Sequence, residues 1–425
     1  MTSSIANPRT LIDVAMGRKP ADLVIKNGTW ACVQSGEFLP DIDVAVKDGR
    51  IAYVGPDASH TIDPNTTLVL DANNKYLVPG LLDAHVHIES GMLTVTEFVR
   101  AVLPHGTTGM FVDPHEIANV FGLKGVRLMV DEARKQPIHV WVQVPSCVPS
   151  APGFETPGAE FGPEEVAEAL SWDGTIGLGE VMNFPGVAAG DRKMMAELAA
   201  VRKAGKVVGG HYASPDLGLP FHGYAAGGAE DDHEGTTVED AIARARQGMK
   251  VMMRYGSAWH DVAAQVKAVT KMHLDPRHFI LCTDDAHAGT IIAGHMDRVI
   301  RHAIAEGLPA MTAIQMATIN TADHFGLSRE IGQIAPGRWA DILLVNDLKN
   351  FQVSMVIARG VVAADKGKLM VELPKPNYPA WATHSVNLAK KMKAEDFCLN
   401  VATLSRSNVE RVTANVIGIV ENQAP

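Results

Sequence analysis

Short apolar runs alternate with amphipathic helical stretches through the middle of the chain. Eight of the runs have the length and composition of buried strands, at residues 76–82, 108–112, 139–144, 175–178, 206–209, 228–231, 250–253 and 279–282. Helical periodicity lies between most of them, for example at 164–170, 193–204, 238–247 and 295–306. This alternation predicts an α/β fold, a (β/α)8 TIM-type barrel over residues 79–328.

Both ends of the chain have a different pattern, that of short strands with tight turns. Residues 22–54 alternate apolar and polar positions and contain the hairpin signals Asn27-Gly28 and Asp48-Gly49. A similar strand-rich segment returns at 340–362. We therefore expect a small β-sandwich domain built from both ends, with residues 1–78 as its N-terminal part and 329–375 as its C-terminal part. Residues 376–425 would form a C-terminal extension with a helix near 387–394 and a last strand at 415–420.

Composition and charge argue against several classes of function. The formal net charge of −10 and the pI near 5.9 argue against a nucleic-acid partner. They also give no reason to expect binding to an anionic membrane surface. No run approaches the roughly 18 apolar residues of a membrane span, and the N-terminus does not resemble a signal peptide. Four scattered cysteines without a CxxC pair predict a reducing, cytoplasmic compartment.

Metal-binding residue types stand at the ends of five of the predicted strands. They are His85, His87, Glu180, His211, His233 and Asp284. Side chains alternate along a strand, so His85 and His87 point to the same side and can bind one ion. The carboxyl ends of barrel strands meet at one face, so this set predicts a catalytic metal centre for Zn, Fe or Mn.

The same residues suggest roles within a two-metal site. Two ions joined by a bridging carboxylate can share a water and make it nucleophilic near neutral pH. His85, His87 and Asp284 would hold one ion, His211 and His233 the other, and Glu180 would bridge them. Asp284 is also the candidate for moving the proton of that water to the leaving group.

Further polar residues follow the same strands and are open to two interpretations. His115 and Glu89 are candidates for catalysis, and Glu116, Glu234, Arg254 and Asp285 are candidates for substrate contacts. In the alternative interpretation the acidic residues and His115 only cap loops, and the arginine pairs with a nearby carboxylate.

These residues resemble a known family. His85-Val-His-Ile-Glu-Ser after Pro79-Gly-Leu-Leu-Asp-Ala is similar to the signature of the amidohydrolase superfamily. The finer motifs resemble its bacterial adenine deaminase branch: Leu103-Pro-His-Gly-Thr-Thr, Asp113-Pro-His-Glu-Ile-Ala-Asn-Val, Pro145-Ser-Cys-Val-Pro-Ser, Leu178-Gly-Glu-Val-Met-Asn, Asp232-His-Glu-Gly-Thr-Thr and Cys282-Thr-Asp-Asp.

The resemblance implies two divalent ions per chain, Mn or Fe with Zn as an alternative, bridged by Glu180. It implies hydrolytic deamination of adenine, or of a related amino-heterocycle, to the oxo product and ammonia. Hydrolysis of a cyclic or acyl amide at the same centre is the alternative, and a catalytically silent binding module is a third. We expect a homodimer acting on a small molecule. The family's further C-terminal domain would be absent from this chain.

Three loops depart from the branch pattern, after strands five, seven and eight. The departures are Tyr212-Ala-Ser-Pro after His211, Tyr255-Gly-Ser after Arg254 and Ala286-His-Ala after the paired aspartates. Loops at this face of a barrel set specificity, so we expect the departures to change which polar edges of a substrate are recognised.

Overall fold

The computed structural model describes residues 7–398 together with 413 and 416. The chain divides into two compact units, 1–374 and 375–425. In the second unit the described helices are Ala380–Thr383 and the 3-10 turn Ala394–Phe397. The helix predicted at 387–394 is wrong: every side chain in that range is exposed, so no packed face supports a helix there. The strand predicted at 415–420 lies outside the described residues except for Val416.

The described part of the chain contains the following strands and helices. The strands are β1 Leu23–Cys32, β2 Glu37–Lys47, β3 Arg50–Gly55, β4 Leu68–Asp71, β5 Tyr76–Pro79, β6 Leu81–His87, β7 Thr107–Val112, β8 His139–Val144, β9 Thr175–Val181, β10 Val207–Gly210, β11 Asp231–Asp232, β12 Lys250–Arg254, β13 Phe279–Cys282, β14 Asp284–Asp285, β15 Ile342–Val345, β16 Val353–Ala358, β17 Val361–Asp365 and β18 Lys368–Leu369. The α-helices of the first unit are α1 Pro8–Ala15, α2 Val95–Val102, α3 His115–Phe121, α4 Leu123–Ala133, α5 Pro163–Leu170, α6 Phe184–Ala189, α7 Arg192–Ala204, α8 Leu219–Gly227, α9 Val238–Arg246, α10 Val262–Gln265, α11 Lys267–Thr270, α12 Ala288–Ala293, α13 Met296–Ala305, α14 Ala310–Met316 and α15 Ile319–His324.

Strands from both ends of the chain join in one nine-stranded sheet. Its order is β18-β17-β16-β15-β5-β1-β2-β3, and β4 pairs with β1. The junction between the two chain ends is antiparallel, with Ile342 opposite Pro79 on β15 and β5. This sheet agrees with the prediction that the two chain ends combine. The β-sandwich and the domain boundaries stay predictions.

The middle of the chain forms a TIM-like barrel of parallel strands. One sheet has the order β10-β9-β8-β7-β6-β14 and a second has the order β11-β12-β13. Residue 283 alone separates β13 from β14, and β14 pairs with β6, so the last barrel strand returns to the first. All residues of β6 and β7 are buried, as expected for parallel strands covered by helices.

Two of the predicted barrel strands differ from those observed. The run 76–82 is divided at Gly80, where β5 ends and β6 begins; the Gly80 N–H donates to the Asp341 carbonyl, and a Cβ there would lie 2.0 Å from Thr108 Oγ1. The run 228–231 contributes only Asp231 to β11, because Gly228 ends helix α8 with a left-handed φ of 108°. The other six predicted strands overlap those observed, at β7–β10, β12 and β13.

The four predicted helices agree with α5, α7, α9 and α13. Side-chain caps mark the starts of α7 and α9: the Asp191 side chain accepts from the Met194 N–H, and the Thr237 hydroxyl accepts from the Asp240 N–H. Among the residues described, no helix is long and apolar enough to cross a membrane. The helices cover the barrel strands and leave the carboxyl ends of those strands to the loops that carry the polar residues.

Candidate metal centre

The two histidines at the end of β6 face a common point. His85 and His87 are both buried, and their Nε2 atoms lie 3.0 Å apart. His87 Nδ1 lies 2.8 Å from the carbonyl oxygen of Asp113, which places the ring proton on Nδ1 and leaves the Nε2 lone pair free. An imidazole held in this tautomer is prepared to bind a cation.

Glu180, the last residue but one of strand β9, lies between this pair and two further histidines. Its Oε2 is 2.6 Å from His211 Nδ1 and 3.0 Å from His233 Nε2, while its Oε1 is 3.8 Å from His87 Nε2. Oε2 also lies 3.8 Å from His85 Nε2. The carboxylate is therefore within reach of all four histidines, which is the position that a bridging ligand requires.

The backbone of Glu180 is fixed from both sides. Its N–H donates to Asp113 Oδ2 at 2.8 Å, and its carbonyl accepts from the Ser146 hydroxyl at 2.6 Å. Gly179 is needed for this approach, because a Cβ at that position would lie 2.1 Å from Asp113 Oδ2. Three strands, β7, β8 and β9, thus hold the carboxylate in place.

Asp284 completes the set from β14. Its Oδ1 lies 3.4 Å from His87 Nε2 and 3.9 Å from His85 Nε2, and its Oδ2 accepts a hydrogen bond of 2.9 Å from Arg254 Nη1. The residue has a left-handed backbone with φ +60°. Such a conformation is uncommon for aspartate and occurs where the surroundings fix it, often at functional sites.

The charges of the site favour a cation. Burial acts to raise the pKa of Glu180, but His211 and the hydrogen bonds from surrounding histidines hold it well below its usual range. Burial also opposes ionisation of Asp284, yet the imidazoles of His87, His233 and His85 keep its pKa well below the ordinary value. Two buried carboxylates therefore stay ionised among four imidazoles, a donor set that suits Zn, Fe or Mn.

Shared donor geometry identifies where cations could bind. Ligand atoms within 4.8 Å of one another form the triads His85–His87–Glu180, His85–His233–Asp284 and Glu180–His211–His233. All six predicted ligands occur in these triads, and the residues present fit a centre of two divalent ions.

The loop after β6 and helix α3 bring three of the other predicted residues beside the centre. His115 Nδ1 lies 2.9 Å from Glu180 Oε1, and Glu116 lies 3.6 Å from His115 and 3.9 Å from His87. Glu89 accepts from the Ile117 N–H, and burial together with Glu116 raises the pKa of Glu89 to about 8. The second oxygens of Glu89 and Glu116 are buried and have no hydrogen-bond partner within the described part of the chain.

Arg254 is enclosed by carboxylates. It is 1% exposed, and it pairs with Glu234, with Asp261 at 2.9 Å and with Asp284 at 2.9 Å. This contact pattern corresponds to the ion-pair alternative for Arg254, and its substrate contact stays a prediction. Asp285 is half-buried, and burial and its neighbour Asp284 raise its pKa.

Sequence reasoning missed several residues that organise the centre. The Asp113 carboxylate, the Ser146 hydroxyl and the Cys147 thiol reach Glu180 or His115 from loops after β7 and β8. Their motifs stood out in the sequence, but only the tertiary approach of three strand ends shows what each side chain contacts.

Comparison with known proteins places the chain among hydrolases of one family. The Amidohydrolase family model matches residues 76–363. The chain is 63% identical to adenine deaminase of Mesorhizobium japonicum over 98% of its own length and 68% of that protein. It is 61% identical to adenine deaminase 3 of Rhizobium meliloti, over 98% of the chain and 69% of that protein.

Solved structures show the same fold at low identity. A beta-aspartyl dipeptidase from Fervidobacterium islandicum has a TM-score of 0.63 at 17% identity, covering 84% of this chain and 98% of that one. A putative prolidase from Bifidobacterium longum has a TM-score of 0.60 at 18% identity, covering 82% and 96%. The similarity at these identities concerns the fold alone.

Proposed function

This chain belongs to the amidohydrolase family, in its adenine deaminase branch, and from that premise we propose that it hydrolyses adenine, or a related amino-heterocycle, to the oxo product and ammonia. The observation that carries the proposal is the convergence of four imidazoles and two ionised carboxylates at the strand ends of a chain this similar to adenine deaminases. In the net reaction, water oxygen joins the ring carbon that bears the amine, and the amine leaves as ammonia.

The six ligand residues would hold two divalent ions, Mn or Fe with Zn as the alternative. When bound, the ions supply Lewis acidity that makes water nucleophilic near neutral pH. Each residue has a place in that set: His85, His87 and Asp284 on one side, His211 and His233 on the other, and Glu180 between them.

Asp284 is the proton carrier in this proposal. Arg254 holds its Oδ2, so Oδ1 is the atom that faces the centre. Oδ1 would take a proton from the attacking water and return it to the nitrogen of the departing amine. The surrounding histidines lower the pKa of this carboxyl group, so it is unprotonated when the substrate binds.

The heterocycle would be recognised by the loop after β6 and by helix α3. Among the residues that the structure describes, nothing hydrogen-bonds to one buried oxygen of Glu89 and one of Glu116, and His115 lies beside Glu180. Buried polar atoms of this kind discriminate strongly between ligands, since a ligand that fails to pair leaves them unsatisfied. We assign the polar edge of the ring to Glu89 and Glu116, with Asp285 at the periphery and Glu234 beside the centre, 3.6 Å from His233 Nε2.

Ammonia release from a substrate panel tests the proposal. The Mn-loaded and metal-free proteins are compared on adenine, other aminopurines, aminopterins and cyclic amides. We expect turnover of adenine by the loaded protein only. Ring opening of an amide without ammonia release from any amine would overturn the proposal and favour the amide alternative.

A pair of matched variants links the activity to the centre. His85→Asn removes a buried ligand, whereas His278→Asn makes the same change at an exposed position. We expect loss of bound metal and of ammonia release in the first variant and neither in the second.

Size measurement of the same samples tests the proposed homodimer, and fractionation of the source cells tests the proposed cytoplasmic location.

A further inference from the structure

A second group of metal-binding side chains includes Glu180 and lies beside the histidine centre. His115 Nδ1 is 2.9 Å from Glu180 Oε1 and 3.5 Å from Cys147 Sγ. These three ligand atoms all lie within 4.8 Å of one another. Cys147 is 6% exposed and belongs to none of the histidine triads described above.

We propose that His115, Cys147 and Glu180 form an additional cation site, selective for a thiophilic divalent ion such as Zn²⁺, Co²⁺ or Cd²⁺. The His115–Cys147 separation is the first argument. Ligand bonds of about 2.3 Å to sulfur and about 2.0 Å to nitrogen, at a tetrahedral angle, place the two donors about 3.5 Å apart. The observed 3.5 Å equals that edge.

Ligand chemistry is the second argument. The other triads offer only nitrogen and oxygen, whereas a thiolate selects soft cations over Mn²⁺. Binding forms one sulfur–metal bond and releases the thiol proton to solvent. The site is therefore chemically distinct from the centre beside it, although both use Glu180.

Sharing Glu180 couples the two sites. Its Oε1 faces His87 at 3.8 Å as well as His115 at 2.9 Å. A cation on Cys147 and His115 would compete for that oxygen, so thiophilic ions should inhibit the enzyme. This consequence rests on the proposed function, whereas binding itself is measured without substrate.

Cobalt absorption tests the site directly. Protein preloaded with Mn²⁺ is titrated with Co²⁺, in a Cys398→Ser background that removes the exposed thiol. We expect saturable thiolate-to-cobalt charge-transfer absorption in this background and none after Cys147→Ser. Cobalt that displaces manganese from nitrogen and oxygen ligands gives no such absorption.

Cys32→Ser is the matched control, because Cys32 is also buried at 6% exposure and lies on β1. It should keep the full absorption. No absorption in the Cys398→Ser background, or equal absorption after Cys147→Ser, overturns the proposal. If Cys147→Ser fails to fold, X-ray absorption on the cobalt-loaded Cys398→Ser protein decides: a sulfur neighbour at about 2.3 Å supports the site, and a shell of nitrogen and oxygen alone refutes it.

Discussion

Replacing Asp284 by asparagine tests its assigned role with little disturbance of the fold. Asparagine has the same shape and keeps an oxygen for the 2.9 Å hydrogen bond from Arg254. It also tolerates the left-handed φ of +60°, which alanine would not. Arg254 retains Glu234 and Asp261 as partners, so no buried charge is stranded. The loss of stability should stay well below the about 3–5 kcal/mol of a broken buried pair.

The loss of catalytic rate should be large compared with this loss of stability. A positioned general acid or base contributes about 10²–10⁴-fold to a rate, which corresponds to about 3–5 kcal/mol of activation free energy. The asparagine amide cannot accept the proton that we assign to Asp284 Oδ1, so kcat should fall by about 10²–10⁴-fold. Ammonia release measures kcat and KM, and metal analysis and thermal unfolding on the same samples separate chemistry from binding and folding.

Asp285→Asn is the matched control, the same change at the next residue. Because Asp285 lies only half-buried and was assigned a peripheral contact, its variant should alter KM more than kcat. An Asp284→Asn protein that retains wild-type metal content and works within about tenfold of the wild-type rate would refute the role of Asp284 as proton carrier.

Three further predictions follow from burial and packing. Gly179→Ala places a Cβ 2.1 Å from Asp113 Oδ2, so it should lower the unfolding free energy by about 1–3 kcal/mol in urea titrations and displace Glu180, reducing activity. Burial raises the pKa of the fully buried Glu197 from 4.5 to about 7, so the folded state takes up a proton and loses stability as pH rises from 4.5 to 7. Glu197→Gln should therefore be more stable than wild type by up to roughly 3 kcal/mol at pH 8, with no gain below pH 4.5. Chelation should abolish ammonia release and lower the melting temperature, and Mn²⁺ at 100 times its dissociation constant should restore about 2.7 kcal/mol of unfolding free energy for each ion bound.

The barrel and the position of its polar residues could be predicted because both follow from local periodicity. A strand buried on both faces gives a continuous apolar run, and the residue that follows it lies at the carboxyl edge of the sheet. His85 and His87 illustrate this, since the period of two alone puts both on one side of β6. The position of Gly80 was harder to predict, because the break there depends on contact with Thr108 from the next strand.

Contacts between loops could not be predicted in the same way. Asp113 supports Glu180 across 67 positions of sequence, and Cys147 reaches His115 across 32. No local pattern encodes either distance, because both depend on how β7, β8 and β9 are arranged side by side. The partners of Arg254 were equally hard to predict. An arginine predicts a charged contact, but only the fold determines that carboxylates surround it.

The three loop departures can now be weighed by where their side chains point. Tyr212 is fully buried, and its hydroxyl donates to the Asp216 carbonyl. Tyr255 stacks on His302 with ring centroids 4.0 Å apart, and Ala286 is buried in the hydrophobic core. A side chain that packs into the core alters what lies behind a loop and presents no new polar group to a substrate. These three side chains therefore add no polar group that faces a substrate, whereas His287 in the third departure is exposed, two residues after Asp285. Altered recognition through that loop stays a prediction, and adenine is the first substrate to test.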